Sequence, residues 1–345
     1  MKKILFFYIL FLLFTGCNSN NSRSFTFTYS VHLEPSNGKK IELWIPVPRS
    51  NKIQIISNLN ISCNGLFYEF KYEQNHNNKY VYIYNNDGID QNKVIQMSFD
   101  VLRFEHQNVE YLNVNPDNYL QASSMVPVGN IFTKIIEKNN LNVDNMRGLY
   151  DYVLTGMHYG KPKSKNSKYY SNPWLSANEK YGMKKVSRDK VVELYQDAKS
   201  TEGLYTFGNG NSIYACNIGV GNCTDYHSYF ISLSRTLDVP ARFHMGFSIP
   251  NGKEEKVRGY HCWADYYVES KGWYPVDISE ADKDSGKVDY FFGNLCYNRV
   301  EMVVGRDFVL EGYEGETVNL FIYPLLEIGD KESNAFTNSF SYKNL

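Results

Sequence analysis

Apolar and polar residues alternate along the N-terminal third of the chain. Between residues 25 and 33, Phe, Tyr, Val and Leu alternate with Thr, Ser and His, which is the period of a half-buried β-strand. The alternation recurs at residues 41–47, 80–84 and 95–101, and Asn-Gly or Asp-Gly pairs between these segments are turn signals. The pattern predicts an antiparallel, sandwich-like β-domain over residues 25–128.

The hydrophobic period changes near residue 131, where helical spacing begins. The predicted helices are 131–136, 146–154, 186–199 and 224–237, and the predicted strands are 241–249, 262–268 and 273–276. These strands are expected to form a second, antiparallel sheet. The fold class is therefore α+β, with a second domain at 129–330 and a C-terminal tail at 331–345.

The N-terminus has the features of a targeting segment. Two lysines precede an apolar run at residues 4–14, which is too short to cross a bilayer but is typical of a signal peptide. The run ends at Thr-Gly-Cys and resembles the lipobox of bacterial lipoproteins, which implies that Cys17 is lipidated. Residues 1–17 are thus a predicted lipoprotein signal, 18–24 a flexible tether, and the protein is exported and anchored to a bacterial membrane. An ordinary cleaved signal peptide is the alternative.

Charge and cysteine content narrow the possible functions. The formal net charge is -1, with both signs interspersed, so that no nucleic-acid partner is predicted. Apart from Cys17, five cysteines remain: Cys63, Cys216, Cys223, Cys262 and Cys296. An odd number in an exported protein fits one reactive thiol and up to two disulfides. The absence of a Cys-x-x-Cys pair from the sequence gives no support to a structural zinc site.

Three residues in the second domain are of the types that thiol-based acyl transfer requires. Cys223 supplies a thiol, His261 an imidazole and Asp277 a carboxylate. A thiolate nucleophile needs a base to accept its proton and a third group to hold that base in one tautomer. The preceding Gly221-Asn222 turn places Cys223 at a helix N-terminus, where free N–H groups favour a thiolate and can bind an oxyanion. His261 starts one strand and Asp277 ends the next, so antiparallel pairing brings them side by side.

Each of these residues alone also has a plainer explanation. A single cysteine is most often a small buried hydrophobe. A histidine and a strand-end aspartate are most often surface residues. The three residues together, in this order and in these local structures, favour a catalytic site.

Several sequence blocks around these residues resemble the bacterial transglutaminase-like family. They are Gly-Asn-Cys-Thr-Asp-Tyr-His-Ser at 221–228, Val-Pro-Ala-Arg-Phe at 239–243, Tyr-His-Cys-Trp-Ala-Asp at 260–265 and Gly-Trp-Tyr-Pro-Val-Asp at 272–277. The resemblance implies a papain-like core, in which a helix that bears the cysteine packs on an antiparallel sheet that bears the histidine and the aspartate. It also implies that Cys223, His261 and Asp277 form the triad.

Four further residues are predicted to support the site or its oxyanion: Phe207, Asn222, His227 and Trp263. Members of the family often carry a tryptophan where Phe207 stands. Because phenylalanine cannot donate a hydrogen bond, the backbone N–H of Cys223 would have to do more. His227 lies four residues after Cys223 on the same helix face, and we interpret it as a histidine bonded to a carbonyl or carboxylate under the site. The segment 161–203 is longer than usual and is a predicted lid or substrate wall.

Two other cysteines bear on Cys223. Strand alternation predicts that Cys262 points away from its neighbour His261, which favours core packing or a disulfide. Cys216 is close enough in sequence that a disulfide with Cys223 would silence an enzyme, provided that the loop brings their Cα atoms within roughly 7 Å.

The predicted function is that of a cysteine-dependent acyl-transfer enzyme, which hydrolyses or transfers a peptide or amide acyl group through a thioester on Cys223. Its predicted partners are a peptide or protein amide and, through the lipid anchor, a membrane. No metal or organic cofactor is needed. Hydrolysis is favoured over cross-linking because the sequence identifies no amine acceptor pocket. Two alternatives stay open: an inactive binding or scaffold lipoprotein, and a metal hydrolase that uses Cys223, His227 and His261.

Overall fold

The computed structural model describes residues 21–159, 206–315 and 317–345. Its strands are β1 (Ser22–Leu33), β2 (Ile41–Val47), β3 (Gln54–Ser62), β4 (Phe67–Tyr72), β5 (Lys79–Asn85), β6 (Lys93–Phe104), β7 (His158–Tyr159), β8 (Val220–Gly221), β9 (Ala241–Ser248), β10 (Glu254–Val257), β11 (Tyr260–Val268), β12 (Gly272–Val276), β13 (Arg299–Val304), β14 (Leu325–Ile328) and β15 (Phe336–Asn344). Its α-helices are α1 (Ile131–Asn139), α2 (Met146–Gly156), α3 (Ser212–Ile218), α4 (Cys223–Thr236) and α5 (Ile278–Lys283). The predicted signal peptide with Cys17, the segment 161–203 and the helix 186–199 lie outside the described residues. In the ranges that the structure describes, no helix has the length and apolarity needed to span a bilayer.

Two antiparallel sheets contain the strands predicted in the N-terminal third. One has the order β10-β15-β1-β6-β3 and the other the order β14-β2-β5-β4. In β1, the apolar residues from Phe25 onward are buried, and the polar residues between them are mostly half-buried or exposed. This is the burial that the alternating sequence predicts. Strand β2 is buried along its whole length, which lies between β14 and β5.

The C-terminal residues are not a tail, so this part of the prediction is wrong. Strand β15 pairs with β1 from Phe25↔Asn344 to Leu33↔Phe336, and β14 pairs with β2. The apolar side chains of β15 provide the physical reason, because Phe340 and Tyr342 are buried in the common core. The predicted tether is also shorter than expected, since β1 already begins at Ser22. The remaining domain boundaries stay predictions.

The second half of the chain forms a separate antiparallel sheet with helices against it. Its strand order is β12-β11-β9-β13. Helix α4 packs on this sheet, where the Phe230 and Tyr266 rings lie 6.1 Å apart. The α4 residues from Cys223 to Arg235 are all buried, because α1, α2, α3 and α5 also contact this helix. The structure therefore has the mixed α and β architecture that was predicted, with a cysteine-bearing helix on an antiparallel sheet.

Candidate active site

Cys223 is the first residue of α4 and follows the short parallel pair β7 and β8. The side chain of Asn222 accepts a hydrogen bond from the Thr224 N–H at 2.9 Å, and the Asp225 carboxylate accepts one from the Asn222 N–H at 2.9 Å. This reciprocal cap satisfies N–H groups at the start of the helix. The N–H of Cys223 has no acceptor among the described residues. It is therefore available to a negatively charged oxygen that develops next to the thiol.

Asp225 also fixes the turn that precedes this helix. Its carboxylate accepts hydrogen bonds from the N–H groups of Gly208 and Gly210, each at 2.9 Å. Burial raises the pKa of Asp225 to about 7, although the backbone N–H groups act to lower it. Phe207 lies half-buried in the same turn, and its side chain has no hydrogen-bonding group. Asp225 thus organises the backbone around Cys223.

His261 and Asp277 are hydrogen-bonded to each other. His261 is the second residue of β11, Asp277 directly follows β12, and the two strands are antiparallel neighbours. Nε2 of His261 lies 2.6 Å from Oδ2 of Asp277. The other carboxylate oxygen accepts hydrogen bonds from the Glu280 N–H at 3.0 Å and the Ser279 hydroxyl at 2.9 Å. The first turn of α5 therefore orients the carboxylate that holds the imidazole.

Arg299 and Trp263 complete the surroundings of this pair. Nη1 of Arg299 donates a hydrogen bond to Oδ2 of Asp277 at 3.1 Å. The Trp263 ring lies 6.2 Å from the His261 ring, and the Arg299 guanidinium lies 5.1 Å from the centre of the Trp263 ring. The Trp263 ring thus packs against both the imidazole and the guanidinium. In this position it restricts the orientation of His261.

Cys223 is in contact with two groups that stabilise its thiolate. A hydrogen bond with Cys262 lowers the pKa of Cys223, burial raises it, and the hydrogen bond and charge of His261 lower it, so that it lies well below its ordinary value. Burial lowers the pKa of His261, but the charge and hydrogen bond of Asp277, with a contribution from Cys223, raise it to about 9. These opposite shifts favour a thiolate–imidazolium pair. Since Nε2 of His261 faces Asp277, Nδ1 is the nitrogen left to face Cys223.

His227 lies next to Cys223 and contacts both α4 and α5. Nδ1 donates a hydrogen bond to the Cys223 carbonyl at 2.6 Å, and Nε2 accepts one from the Ile278 N–H at 3.1 Å. Burial lowers the pKa of His227 to about 4, so the ring is neutral, as the Ile278 hydrogen bond requires. The ring is thus bonded to a carbonyl next to the thiol, and its supporting role stays a prediction. These two hydrogen bonds leave neither ring nitrogen for a metal ion, which argues against the metal-hydrolase alternative.

Cys262 is the cysteine that lies next to Cys223. Cys262 does point away from His261, on the face of β11 that α4 covers, and its Sγ lies 3.7 Å from the Thr224 hydroxyl. There it meets Cys223. Cys216, by contrast, contacts Tyr229. All five cysteines in the described residues are thiols.

Sequence reasoning missed three residues in or beside the candidate site. Arg299 carries no local signal, because a single arginine on a strand is common. Tyr159 follows α2, its N–H bonds to Asp282 at 3.1 Å, and burial followed by the charge of Cys223 raises its pKa to about 12. The Tyr260 hydroxyl lies 3.0 Å from the Thr224 hydroxyl. Tyr260 belongs to a block singled out in the sequence, whereas only the fold places Tyr159 here.

A separate cavity of about 650 Å³ is lined by residues of both halves of the chain, among them Arg49, Tyr111, Arg242, His244 and Glu301. It does not include Cys223, His261 or Asp277. Across the described ranges, no group of three or more His, Cys, Asp or Glu side chains is arranged to hold a metal ion.

The sequence and the fold are similar to those of known proteins. Residues 176–278 match the model of the transglutaminase-like superfamily, and the matched segment includes Cys223, His261 and Asp277. An uncharacterised protein of Haemophilus influenzae is 31% identical over 161 residues, which cover 37% of this chain and 44% of that relative. The chain thus spans less than half of the length of the relative that it matches.

Solved structures extend the comparison to the fold. A candidate cysteine protease from Cytophaga hutchinsonii is similar with a TM-score of 0.51 and 11% identity, over 94% of this chain and 98% of that chain. This likeness shows a shared fold along nearly the whole chain, with a papain-like core. The periplasmic domain of TgpA from Pseudomonas aeruginosa gives a TM-score of 0.32 and 11% identity, over 76% of this chain and 90% of that chain. At that score it supports no conclusion.

Proposed function

We propose that the chain is a cysteine-dependent acyl-transfer enzyme, since residues 176–278 match the model of the transglutaminase-like superfamily. Its substrate class is a peptide or protein amide, and its intermediate is a thioester on Cys223. The observation that carries the proposal is the continuous line of contacts from the Cys223 thiol through the His261 imidazole to the Asp277 carboxylate. In this arrangement the nucleophile meets its base and the base is held by a third group.

The acylation step follows from these positions. His261 takes the proton of Cys223, and the thiolate attacks the amide carbonyl. The negative charge then develops on the carbonyl oxygen, where the unoccupied Cys223 N–H at the start of α4 donates to it. His261 gives its proton to the leaving amine, and the C–N bond breaks to leave a thioester. Asp277 stabilises the imidazolium during this exchange and fixes its tautomer.

The second step releases the acyl group. His261 takes a proton from water or from an amine as that nucleophile attacks the thioester, and the Cys223 thiolate is expelled. We favour water as the acceptor, because water is abundant in the exported compartment. Faster incorporation of a labelled primary amine than release of the free acid would reverse this preference.

The proposed cellular setting rests on residues 1–17 alone. A lipidated Cys17 would hold the enzyme on the outer side of a bacterial membrane, with its substrate in the exported compartment. Metabolic labelling with a clickable palmitate analogue, compared between the native sequence and Cys17→Ser, tests this anchor. Labelling that persists in Cys17→Ser would refute lipidation at this residue.

The pH dependence of Cys223 alkylation tests the proposed chemistry. Iodoacetamide at limiting concentration should label Cys223 rapidly well below pH 7, because the imidazolium of His261 keeps the thiolate ionised. His261→Ala should abolish this labelling at low pH. His32→Ala is the matched control, since His32 is exposed on β1, and it should label as the native protein does. Labelling that rises only near about pH 8.5, the value of an ordinary thiol, would instead favour an inactive binding protein.

A further inference from the structure

The cavity that both halves of the chain line is separate from the proposed catalytic residues. Its volume of about 650 Å³ falls within the range of about 300–1,000 Å³ that is typical of small-molecule sites, which often lie where two structural units meet. Arg242 and His244 on β9 and Glu301 on β13 contribute to its lining, and all three are buried. Buried charged side chains therefore form the part of the cavity wall that belongs to the sheet of His261.

Arg242 is held in one position by its neighbours. Its Nε donates a hydrogen bond to Oδ1 of Asp265 at 2.9 Å, and its Nη2 donates one to Oδ2. The guanidinium carbon also lies 3.9 Å from the centre of the Trp273 ring and 4.8 Å from the centre of the Tyr111 ring. No described residue accepts a hydrogen bond from Nη1 of Arg242, so this nitrogen is left to donate into the cavity. A charged donor that is already fixed loses little conformational freedom when it binds an anion.

Glu301 is the one acidic residue in the described lining, and both of its carboxylate oxygens already have partners. Oε2 lies 2.9 Å from Nδ1 of His244, and Oε1 accepts a hydrogen bond from the Asn51 side chain at 2.8 Å. Nε2 of His244 lies 3.1 Å from Oδ2 of Asp265, which also binds Arg242. The carboxylates beside the cavity are thus balanced by protein groups, which makes the described lining a poor site for a cation.

Arg49 and Lys52 add positive charge where the lining is exposed. The Arg49 guanidinium donates to the uncharged Asn77 carbonyl, and no described acid pairs with either cation. The lining also contains several asparagines, among them Asn113 and Asn118, whose amides can both donate and accept hydrogen bonds. Cations without a balancing acid, together with amides, favour a polar ligand that carries an oxyanion.

We propose that this cavity is a binding site for a small molecule that carries an oxyanion, either a carboxylate or a phosphate. Nη1 of Arg242 binds the oxyanion at the buried end, and Arg49 and Lys52 attract it at the exposed end. Arg242 pairs with Asp265, which lies four residues along β11 from His261. At about 3.3 Å per residue, this separation is roughly 13 Å. The site is therefore additional to the proposed catalytic site and does not depend on the proposed function.

Isothermal titration calorimetry of the full chain tests the proposal with succinate, inorganic phosphate and the uncharged diamide succinamide. At low ionic strength, where charges are least screened, at least one of the two anions should bind at a single site, and succinamide should not bind. Binding of succinate alone assigns a carboxylate to the ligand, binding of phosphate alone assigns a phosphate group, and binding of both assigns their shared chemistry. Absence of binding by both anions, or equal binding of succinamide, would overturn the proposal.

Arg49→Gln/Lys52→Gln locates the anion without altering the buried charged groups. Both side chains are exposed, and the loss of their charges should weaken binding about tenfold. Lys134→Gln/Lys138→Gln is the matched control, because it removes the same charge from exposed positions on α1 that do not line the cavity. The control should bind the anion as the native chain does. Equal weakening in the two double variants would show a response to net charge alone and refute the site.

Two further variants separate this cavity from the catalytic site. Arg242→Lys keeps a positive charge beside Asp265 but lacks the guanidinium fork, so it cannot hold Asp265 with two nitrogens and donate from a third. Its circular dichroism should stay native and its anion binding should weaken, and unchanged affinity would contradict the role of Arg242. His261→Ala removes the imidazole of the catalytic site and should bind the anion with native affinity. Loss of binding in His261→Ala would place the anion beside Cys223 and refute a site in the cavity.

Discussion

Arg299 donates a hydrogen bond to the same oxygen of Asp277 that holds His261. The Arg299 Nη1 and His261 Nε2 atoms lie 3.1 Å and 2.6 Å from Asp277 Oδ2. Burial raises the pKa of Asp277, but the charge and hydrogen bond of His261, followed by Arg299, lower it far below its ordinary value. A single carboxylate thus balances two cations. The strength with which this carboxylate attracts the imidazolium therefore depends partly on Arg299, the first residue of β13.

Arg299→Gln should raise the pKa of His261 above its value of about 9. Without the guanidinium, the carboxylate charge acts on the imidazolium alone. The loss of one nearby positive charge should raise the His261 pKa by about one unit. Asp277→Asn should move the same pKa in the opposite direction, because it removes the attracting charge. NMR titration of ¹⁵N-histidine-labelled protein measures both shifts, with the His261 signal identified by its absence in His261→Ala.

Arg258→Gln is the matched control for this measurement. Arg258 is exposed on the loop before β11, and its substitution should leave the titration of His261 unchanged. A fall in the His261 pKa in Arg299→Gln would show that Arg299 mainly keeps Asp277 in place. In that case its charge would not tune the base.

His227 is expected to contribute to stability in a pH-dependent way. His227→Ala leaves the buried Ile278 N–H without its acceptor and removes a buried ring, so the free energy of unfolding should fall by about 2–4 kcal/mol at pH 7.5. The folded-state pKa of about 4 lies below the unfolded value of 6.5. The contribution of the neutral ring is therefore present above pH 6.5 and is lost as the pH falls toward 4.

Urea denaturation at pH 7.5 and pH 5 measures this difference. The gap between the native chain and His227→Ala should narrow at the lower pH, because the unfolded native chain then gains a proton that the folded chain excludes. His32→Ala, which replaces an exposed histidine, should change little at either pH. A gap of equal size at both pH values would mean that His227 is not held neutral in the fold.

Local patterns were sufficient to anticipate the relative placement of His261 and Asp277. Period-2 alternation identified β11 and β12, and antiparallel neighbours of that kind bring the start of one strand beside the end of the next. The helix that begins at Cys223 was also visible, because a turn precedes it and a proline follows its end. For these residues, the relevant contacts follow from short segments of sequence.

Other features depend on contacts that no short segment encodes. Alternation predicted that Cys262 turns away from His261, but only the packing of α4 on that face brings it to Cys223. Arg299 reaches Asp277 because β13 pairs with β9, next to β11. The pairing of Phe25 with Asn344 joins the two ends of the described chain. Such long-range pairings are selected by the shared core, so the sequence of β15 alone, rich in Ser and Asn, resembled a tail.

The last prediction concerns Phe340, whose side chain packs β15 against β1 and β9. Its ring lies 4.6 Å from the Tyr29 ring on β1 and 4.5 Å from the Phe247 ring on β9. Strand β9 pairs with β11, on which His261 lies. Phe340→Ala removes a buried ring, so the free energy of unfolding should fall by about 3–5 kcal/mol. Urea denaturation at pH 7.5 measures the change.

Phe67→Ala is the matched control, since Phe67 is 65% exposed on the edge strand β4. Removing an aromatic ring that is already largely in water should cost less than about 1 kcal/mol. A loss in Phe340→Ala as small as the loss in Phe67→Ala would mean that the C-terminal strand is only loosely docked. If Phe340→Ala causes a large loss in the free energy of unfolding and also slows the alkylation of Cys223 at low pH, β15 has a second role. It then supports the sheet that carries His261, through Phe247, in addition to completing the N-terminal sheet.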